Sequence, residues 1–239
     1  MKVIYIKLKH KGLNNTQGFT LIEVLLAILI FSLLIVTVYG SFNRVLTDVE
    51  AIDEDLIFHE AATNCFFRMD ADLRSLHISM TPRYSPPEMS NPPDPFRVIG
   101  DKSDTVNNSF GRLRFSSSAH LPIDKIFHGG IAEIVYYVEA DGEDHYVLKR
   151  TDRVDYESDW EPSVYDPVLC ENIRSLKFTY YDQEGTEYDF WDSEDEEYEF
   201  STPVAIGIEL EIGRDKVSFN FKTSVTMPVF RTKMENETL

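Results

Sequence analysis

The 239-residue sequence is short of positive charge: 23 Lys and Arg stand against 41 Asp and Glu, a formal balance of −18. A nucleic-acid partner needs clustered cations to replace the counterions along a phosphate backbone, so this balance argues against one. Cysteine is almost absent. Cys65 and Cys170 lie 105 positions apart, a spacing compatible with one disulfide in an oxidising compartment and also with none. Two thiols cannot build a four-ligand metal site, and the six histidines show no pair at metal-ligand spacing, so neither a metal nor another cofactor is expected. The sequence also lacks a Ser/His/Asp or Cys/His arrangement and a Gly-rich phosphate loop. Gly129-Gly130, after His128, reads as a tight turn before a strand. No catalytic residue and no enzymatic activity are expected. Aromatic residues, by contrast, make up 13% of the chain, enough to bury a core in spite of the acidity.

The largest departure from an ordinary acidic sequence is at the N-terminus. Lys2, Lys7, Lys9 and Lys11 precede a 21-residue segment, Phe19–Tyr39, that is apolar but for Thr20, Glu23, Ser32 and Thr37. As a helix it would measure roughly 30 Å, the thickness of a bilayer's hydrocarbon core. Beyond it Arg44 is followed by Asp48, Glu50, Asp53, Glu54 and Asp55, so the positive-inside rule places the N-terminus in the cytoplasm and the rest across the membrane. A cleaved signal peptide fits poorly. The apolar run exceeds the usual h-region, and Val36–Ser41 offers no small-x-small cleavage site. A plain signal anchor leaves Glu23 unexplained, because a carboxylate in a lipid-embedded helix costs about 2–3 kcal/mol and calls for a partner or a function.

Gly18-Phe19-Thr20-Leu21-Ile22-Glu23-Val24-Leu25 resembles the processing motif of type IV prepilins and pseudopilins. The resemblance implies that a prepilin peptidase cuts between Gly18 and Phe19 on the cytoplasmic face, that the new Phe19 amine is methylated, and that the apolar segment stays on the mature protein. Glycine suits the cut site because it brings no Cβ into a tight peptidase groove. The new amine beside lipid needs a counter-charge, and Glu23 can supply it. In the family that carboxylate is thought to attract the N-terminal amine of a neighbouring subunit during filament assembly.

Beyond the span the helix is expected to continue. Val45–Leu76 has no Gly or Pro, and Val45, Val49, Ile52, Leu56, Ala62, Phe66, Met69, Leu73 and Leu76 recur near a 3.6-residue period. Six prolines from Pro82 to Pro95 read as an extended linker, or alternatively as a ligand for a proline-recognition module. Strand-like alternation follows at Phe96–Ile99, Leu113–Ser116, Ile131–Glu139, His145–Arg150, Leu176–Tyr181, Val204–Ile212 and Val217–Val225. Ala140–Asp144 and Gly213–Lys216 read as hairpin turns. The expected class is α+β, a long helix packed on an antiparallel sheet. Its divisions are a leader at 1–18, a transmembrane helix at 19–40, an amphipathic helix at 41–78, the linker at 79–95, a β-rich head at 96–230 and a tail at 231–239.

Asp182–Glu199 holds ten acids but does not follow the calcium-loop pattern of an EF-hand. It reads as a solvated acidic loop, with calcium binding or contact with a basic neighbour as alternatives. Tyr188, Phe190, Trp191 and Tyr198 interleave as candidate apolar anchors.

In order, the segments Arg68–Leu76, the hairpin around Val135–Asp152, Cys170–Asp182, Trp191 and Pro203–Leu210 resemble the J-type minor pseudopilin (GspJ) family of type II secretion systems. That resemblance implies a single-pass protein of the bacterial inner membrane with its head in the periplasm. Its implied partners are the I-, K- and H-type minor pseudopilins, the major pseudopilin, the prepilin peptidase and the lipid bilayer. They would meet at the tip of a short filament that supports protein secretion. The alternatives are a PilW-like minor pilin of a type IV pilus and a membrane-tethered binding domain that works alone.

Overall fold

The structure, a computed structural model, describes residues 18–87, 93–102, 110–120, 130–142, 145–154, 160–214 and 217–234, with backbone alone for 45–55 and 102. The leader through residue 17, parts of the proline-rich segment and the hairpin turns, Gly129 and the last five residues lie outside the described residues. The chain divides into two units, Met1–Asp53 and Glu54–Leu239.

One helix, α1 (Leu21–Arg74), crosses that division. No proline interrupts it, and Thr20 and Glu23 start it in a way taken up below. Its part in the first unit presents every described side chain, from Leu21 to Arg44, to the surroundings. In the second unit one face is buried. Phe58, Ala62, Cys65, Met69, Asp72 and Leu73 follow helical spacing and are all buried. The stripe is rotated from the expected one: Leu56 is exposed and Phe66 half-buried, while Phe58 and Cys65 take the inward places.

The helix stops at Arg74, short of the expected residue 78, because its last carbonyls are taken by the sheet. Ser117 Oγ donates to the carbonyls of Asp72 (2.8 Å) and Ser75 (3.2 Å), and the Ser118 amide donates to Ser75 (2.9 Å). Leu76 and His77 then form β1 (Leu76–His77), paired with Ser117 and Ser116.

The head is antiparallel throughout its named strands. These are β2 (Ile99–Lys102), β3 (Gly111–Ser117), β4 (Ala132–Ala140), β5 (Tyr146–Arg153), β6 (Val168–Cys170), β7 (Ile173–Tyr181), β8 (Glu187–Tyr188), β9 (Trp191–Asp192), β10 (Ala205–Arg214) and β11 (Val217–Thr226). One sheet runs β6-β5-β4-β3-β2-β9 with β1 beside β3; the other runs β11-β10-β7-β8. The expected α+β class, a long helix followed by antiparallel strands, is the one observed. Alternation decides which faces meet: Ile206, Ile208, Leu210 and Ile212 of β10 are buried, opposite Tyr180, Phe178 and Leu176 of β7. Strand β4 breaks the rule, since Ala132–Val138 is buried on both faces. Its outer face is covered by the segment before β6, where Trp160 packs edge-on against Tyr137 at 4.9 Å and Tyr137 Oη donates to Asp166 (2.9 Å).

The strand expected at Phe96–Ile99 begins at Ile99, because Asp94 forms a turn first, accepting from the Phe96 amide at 3.1 Å. Gly100 of β2 lies against the Tyr180 ring; a Cβ there would fall 1.8 Å from the phenolic oxygen, so only glycine lets the two sheets approach at this point.

Candidate functional site

Gly18, Phe19 and Thr20 precede α1 as irregular chain. A Cβ added at Gly18 would meet nothing within 4 Å among the described residues. Phe19 is 88% exposed. Glu23 lies in the first helical turn, and its Oε2 accepts from the Thr20 amide and from Thr20 Oγ1, both at 2.9 Å; the Glu23 amide in turn faces Thr20 Oγ1 at 3.4 Å. Thr20 and Glu23 thus form a reciprocal cap that satisfies amides left open at a helix start. This pairing was legible as Thr-x-x-Glu before an apolar run, but the sequence reading assigned Glu23 only to a neighbouring subunit. The structure gives it a partner within its own chain as well.

Behind this cap, Leu21–Arg44 is long and apolar enough to cross a membrane. At ~1.5 Å per residue it exceeds the hydrocarbon thickness of about 30 Å. Its exposed side chains include Leu21, Ile22, Leu25, Leu29, Phe31 and Leu33, which point in all directions around the helix. In water such a surface would carry a large unfavourable hydration cost; lipid or other apolar helices remove it.

The head holds a second organised cluster that the sequence reading did not identify. Asp72, on the buried face of α1, is fully inaccessible and receives Arg150 Nε (2.7 Å), Tyr136 Oη (2.5 Å) and the Arg68 guanidinium. Arg150 also reaches Asp152 (2.6 Å), whose other oxygen accepts from His120 Nδ1 (2.5 Å), and Arg68 donates to the Ala119 carbonyl (2.6 Å). Two carboxylates and two guanidiniums therefore balance inside the head. Burial opposes the Arg150 charge, but Asp72 and Asp152 outweigh it and hold the guanidinium above its ordinary range. Burial first, and the Asp72 charge second, push the Tyr136 phenol well up. The signal available in sequence was an acid standing three residues after Met69 on an apolar stripe.

Arg231 makes a third knot, one residue past the expected end of the head. Its guanidinium is buried under the Tyr84 ring, 3.3 Å from the centroid, and donates to the carbonyls of Phe200 (2.6 Å), Ser193 (2.7 Å) and Ser79 (3.1 Å) and to Glu194 (3.2 Å). A recess lined by Asp101, Arg112, Arg114 and Trp160 has its charges matched in place, Arg112 with Asp101 and Arg114 with Glu133.

The acidic segment 182–199 is more ordered than a solvated loop. Trp191 is buried and donates to the Ser201 carbonyl (3.1 Å), stacked on Tyr198 (4.7 Å) and edge-on to Tyr188 (5.3 Å). These three aromatics face the head's own interior; Phe190 is the one of the four that is exposed. Asp182 is buried and accepts from the amides of Thr186 (2.8 Å) and Glu184 (3.0 Å), from Tyr188 Oη (3.3 Å) and from Lys233 (3.3 Å). Asp192 and Asp195 cap the following turns through the amides of Glu194 and Glu197.

Residues 13–39 match the family described as the prokaryotic N-terminal methylation motif. The chain therefore carries a prepilin-type N-terminus, of the kind found on type IV pilin-like proteins, on a single N-terminal apolar helix that fits a membrane anchor. No curated protein matches the chain.

Proposed function

We propose that this protein is a minor pseudopilin of a type II secretion system, of the J type, acting at the tip of a periplasmic filament as a structural subunit and not as an enzyme. The observation that carries the reading is the junction Gly18-Phe19 followed by the capped Glu23 at the head of an exposed apolar helix. Among the described residues a Cβ at Gly18 would have open space around it, which is compatible with its identity being set by an outside agent, the prepilin peptidase. Cleavage after Gly18 frees the Phe19 amine for methylation within one turn of Glu23. The carboxylate that caps its own helix is then placed to exchange Thr20 for the amine of a neighbouring subunit, which offsets part of the cost of carrying that charge into lipid.

In this reading the basic leader stays in the cytoplasm, α1 crosses the inner membrane once and the acidic head lies in the periplasm with the I-, K- and H-type minor pseudopilins and the major pseudopilin. The order of the segments resembling the J-type family supports the secretion filament over a PilW-like pilus subunit.

The test is made in cells that carry the peptidase. N-terminal sequencing of the mature chain should begin at Phe19, and Gly18→Glu should accumulate precursor. Glu23→Ala should be processed and inserted yet fail to support secretion. Affinity purification from solubilised membranes should bring down other pseudopilins. Recovery of type IV pilus subunits instead would move the protein to the pilus, and recovery of no pilin-like partner would defeat the assembly role.

A further inference from the structure

The chain has two cysteines, one on a helix and one on a strand, and the fold brings them together. Cys65 sits on the buried face of α1 between Ala62 and Met69, and Cys170 ends β6, opposite Leu148 of β5. They are 2% and 3% exposed, both belong to the core, and their sulfurs are within hydrogen-bonding reach of each other. Both are free thiols in this structure. We infer that Cys65 and Cys170 are joined by a disulfide in the mature protein, tying α1 to the outer edge of the seven-stranded sheet.

The position explains the use of such a bond. Strand β6 is an edge strand of three residues, and its pairing with β5 is interrupted by a register shift between Leu148 and Lys149. Short, irregular pairing holds an edge weakly, and a covalent tie to the helix keeps it in place. Both cysteines belong to the same apolar core cluster as Ala62 and Met69.

The reaction exchanges partners without net loss of atoms. The thiolate of one cysteine attacks a disulfide oxidant of the extracytoplasmic compartment, releasing one oxidant thiol. The thiolate of the other then displaces the second, so that two protons and two electrons leave the protein and the oxidant ends as two thiols. Because neither sulfur is accessible in the folded head, the mixed disulfide forms before α1 closes over the sheet.

This inference rests on the proposed periplasmic placement of the head, and the experiment separates the two. Cells producing the full chain are quenched in acid. The protein is alkylated under denaturing conditions with and without reductant, and its mass is measured; a parallel sample of spheroplasts is treated with protease. The expected result is a chain that takes up alkylating agent at both cysteines only after reduction, with a head cleaved by external protease. Reductant should also lower the melting temperature of the wild type in detergent and leave that of the Cys65→Ala/Cys170→Ala variant unchanged. Free thiols on a protease-accessible head overturn the bridge and leave the proposed function standing. Free thiols on a protected head overturn the placement, and the bridge with it.

Discussion

Replacing Asp72 by Asn tests whether the buried charges hold α1 to the head. The change keeps the shape and an oxygen acceptor for Tyr136 Oη, but it removes the charge that faces Arg150 and Arg68. Breaking one partner out of a buried ion pair costs about 3–5 kcal/mol, mostly because the other charge is stranded away from water. Two features of the structure moderate the loss. Arg150, 2% exposed at its side chain, keeps Asp152 through Nη1 at 2.6 Å, and Arg68 is 20% exposed and retains contact with solvent. The expected cost is therefore near the lower limit, about 3 kcal/mol, which for a head of this size lowers the melting temperature by roughly 6–12 °C. The assay is thermal and urea denaturation of the full chain in detergent, followed by tryptophan fluorescence, because Trp160 and Trp191 both lie in the head. The paired variant Asp72→Leu/Arg150→Met removes both charges and should recover part of the loss, the remainder being the cost of leaving Asp152 with His120 alone. A loss below about 1 kcal/mol for Asp72→Asn, or costs that simply add in the paired variant, would refute the argument that these charges act as one unit.

Three further outcomes follow from the same geometry. Asp182 is held down to about 2 from 3.8, because the Thr186 amide, Glu184 and Lys233 outweigh the opposing effect of burial. Its contribution is present above pH ~4 and is lost as the pH falls towards 2, so the gap in melting temperature between wild type and Asp182→Asn should shrink across that window. Arg231→Leu strands the Glu194 carboxylate, two buried carbonyls and the part-buried carbonyl of Ser79, and should cost about 3–5 kcal/mol in urea denaturation while leaving processing after Gly18 unchanged. Tyr180→Phe removes a buried hydroxyl that has no hydrogen-bond partner among the described residues and should raise stability by about 1 kcal/mol, whereas Gly100→Ala, which drives a Cβ into that same ring, should lower it by about 1–3 kcal/mol; equal signs in thermal melts would contradict the packing described.

Much of the fold was legible because periodicity reports which side of an element meets the core. Val204–Ile212 and Val217–Val225 were readable as partners from alternation alone, and β10 and β11 pair in full register from Ala205 with Thr226 to Arg214 with Val217. The membrane-length helix was legible for a different reason, since an uninterrupted apolar run has few other uses. What stayed hidden depends on contacts distant in sequence. Asp72 and Arg150 are 78 positions apart, and nothing local to either marks them as partners. In the acidic segment 182–199 most of the acids are exposed, as charge counts suggest, but Asp182, Trp191 and Ser193 are buried there and nothing in the local composition marks them. At the N-terminus the motif Gly18-Phe19 and Glu23 stood out on chemistry, while the smaller contribution of Thr20 was overlooked beside it.

The two ends of α1 solve different problems with the same kind of residue. Glu23 begins a stretch whose side chains from Leu21 to Arg44 are all exposed, so no packing among the described residues fixes the helix about its axis there. In the head the apolar stripe Phe58, Ala62, Cys65, Met69 and Leu73 favours one face, but apolar contact is non-directional and tolerates rotation or a slip of the helix. Asp72 removes that freedom. Its carboxylate is met from its own helix by Arg68, and from one side by Arg150 and Tyr136 of the sheet at distances and angles that a turned helix could not preserve. A one-residue rotation would set Ala71 against Arg150 and Tyr136 in place of the carboxylate and expose Leu73, so the ionic contact penalises the alternatives that hydrophobic packing alone would leave close in energy.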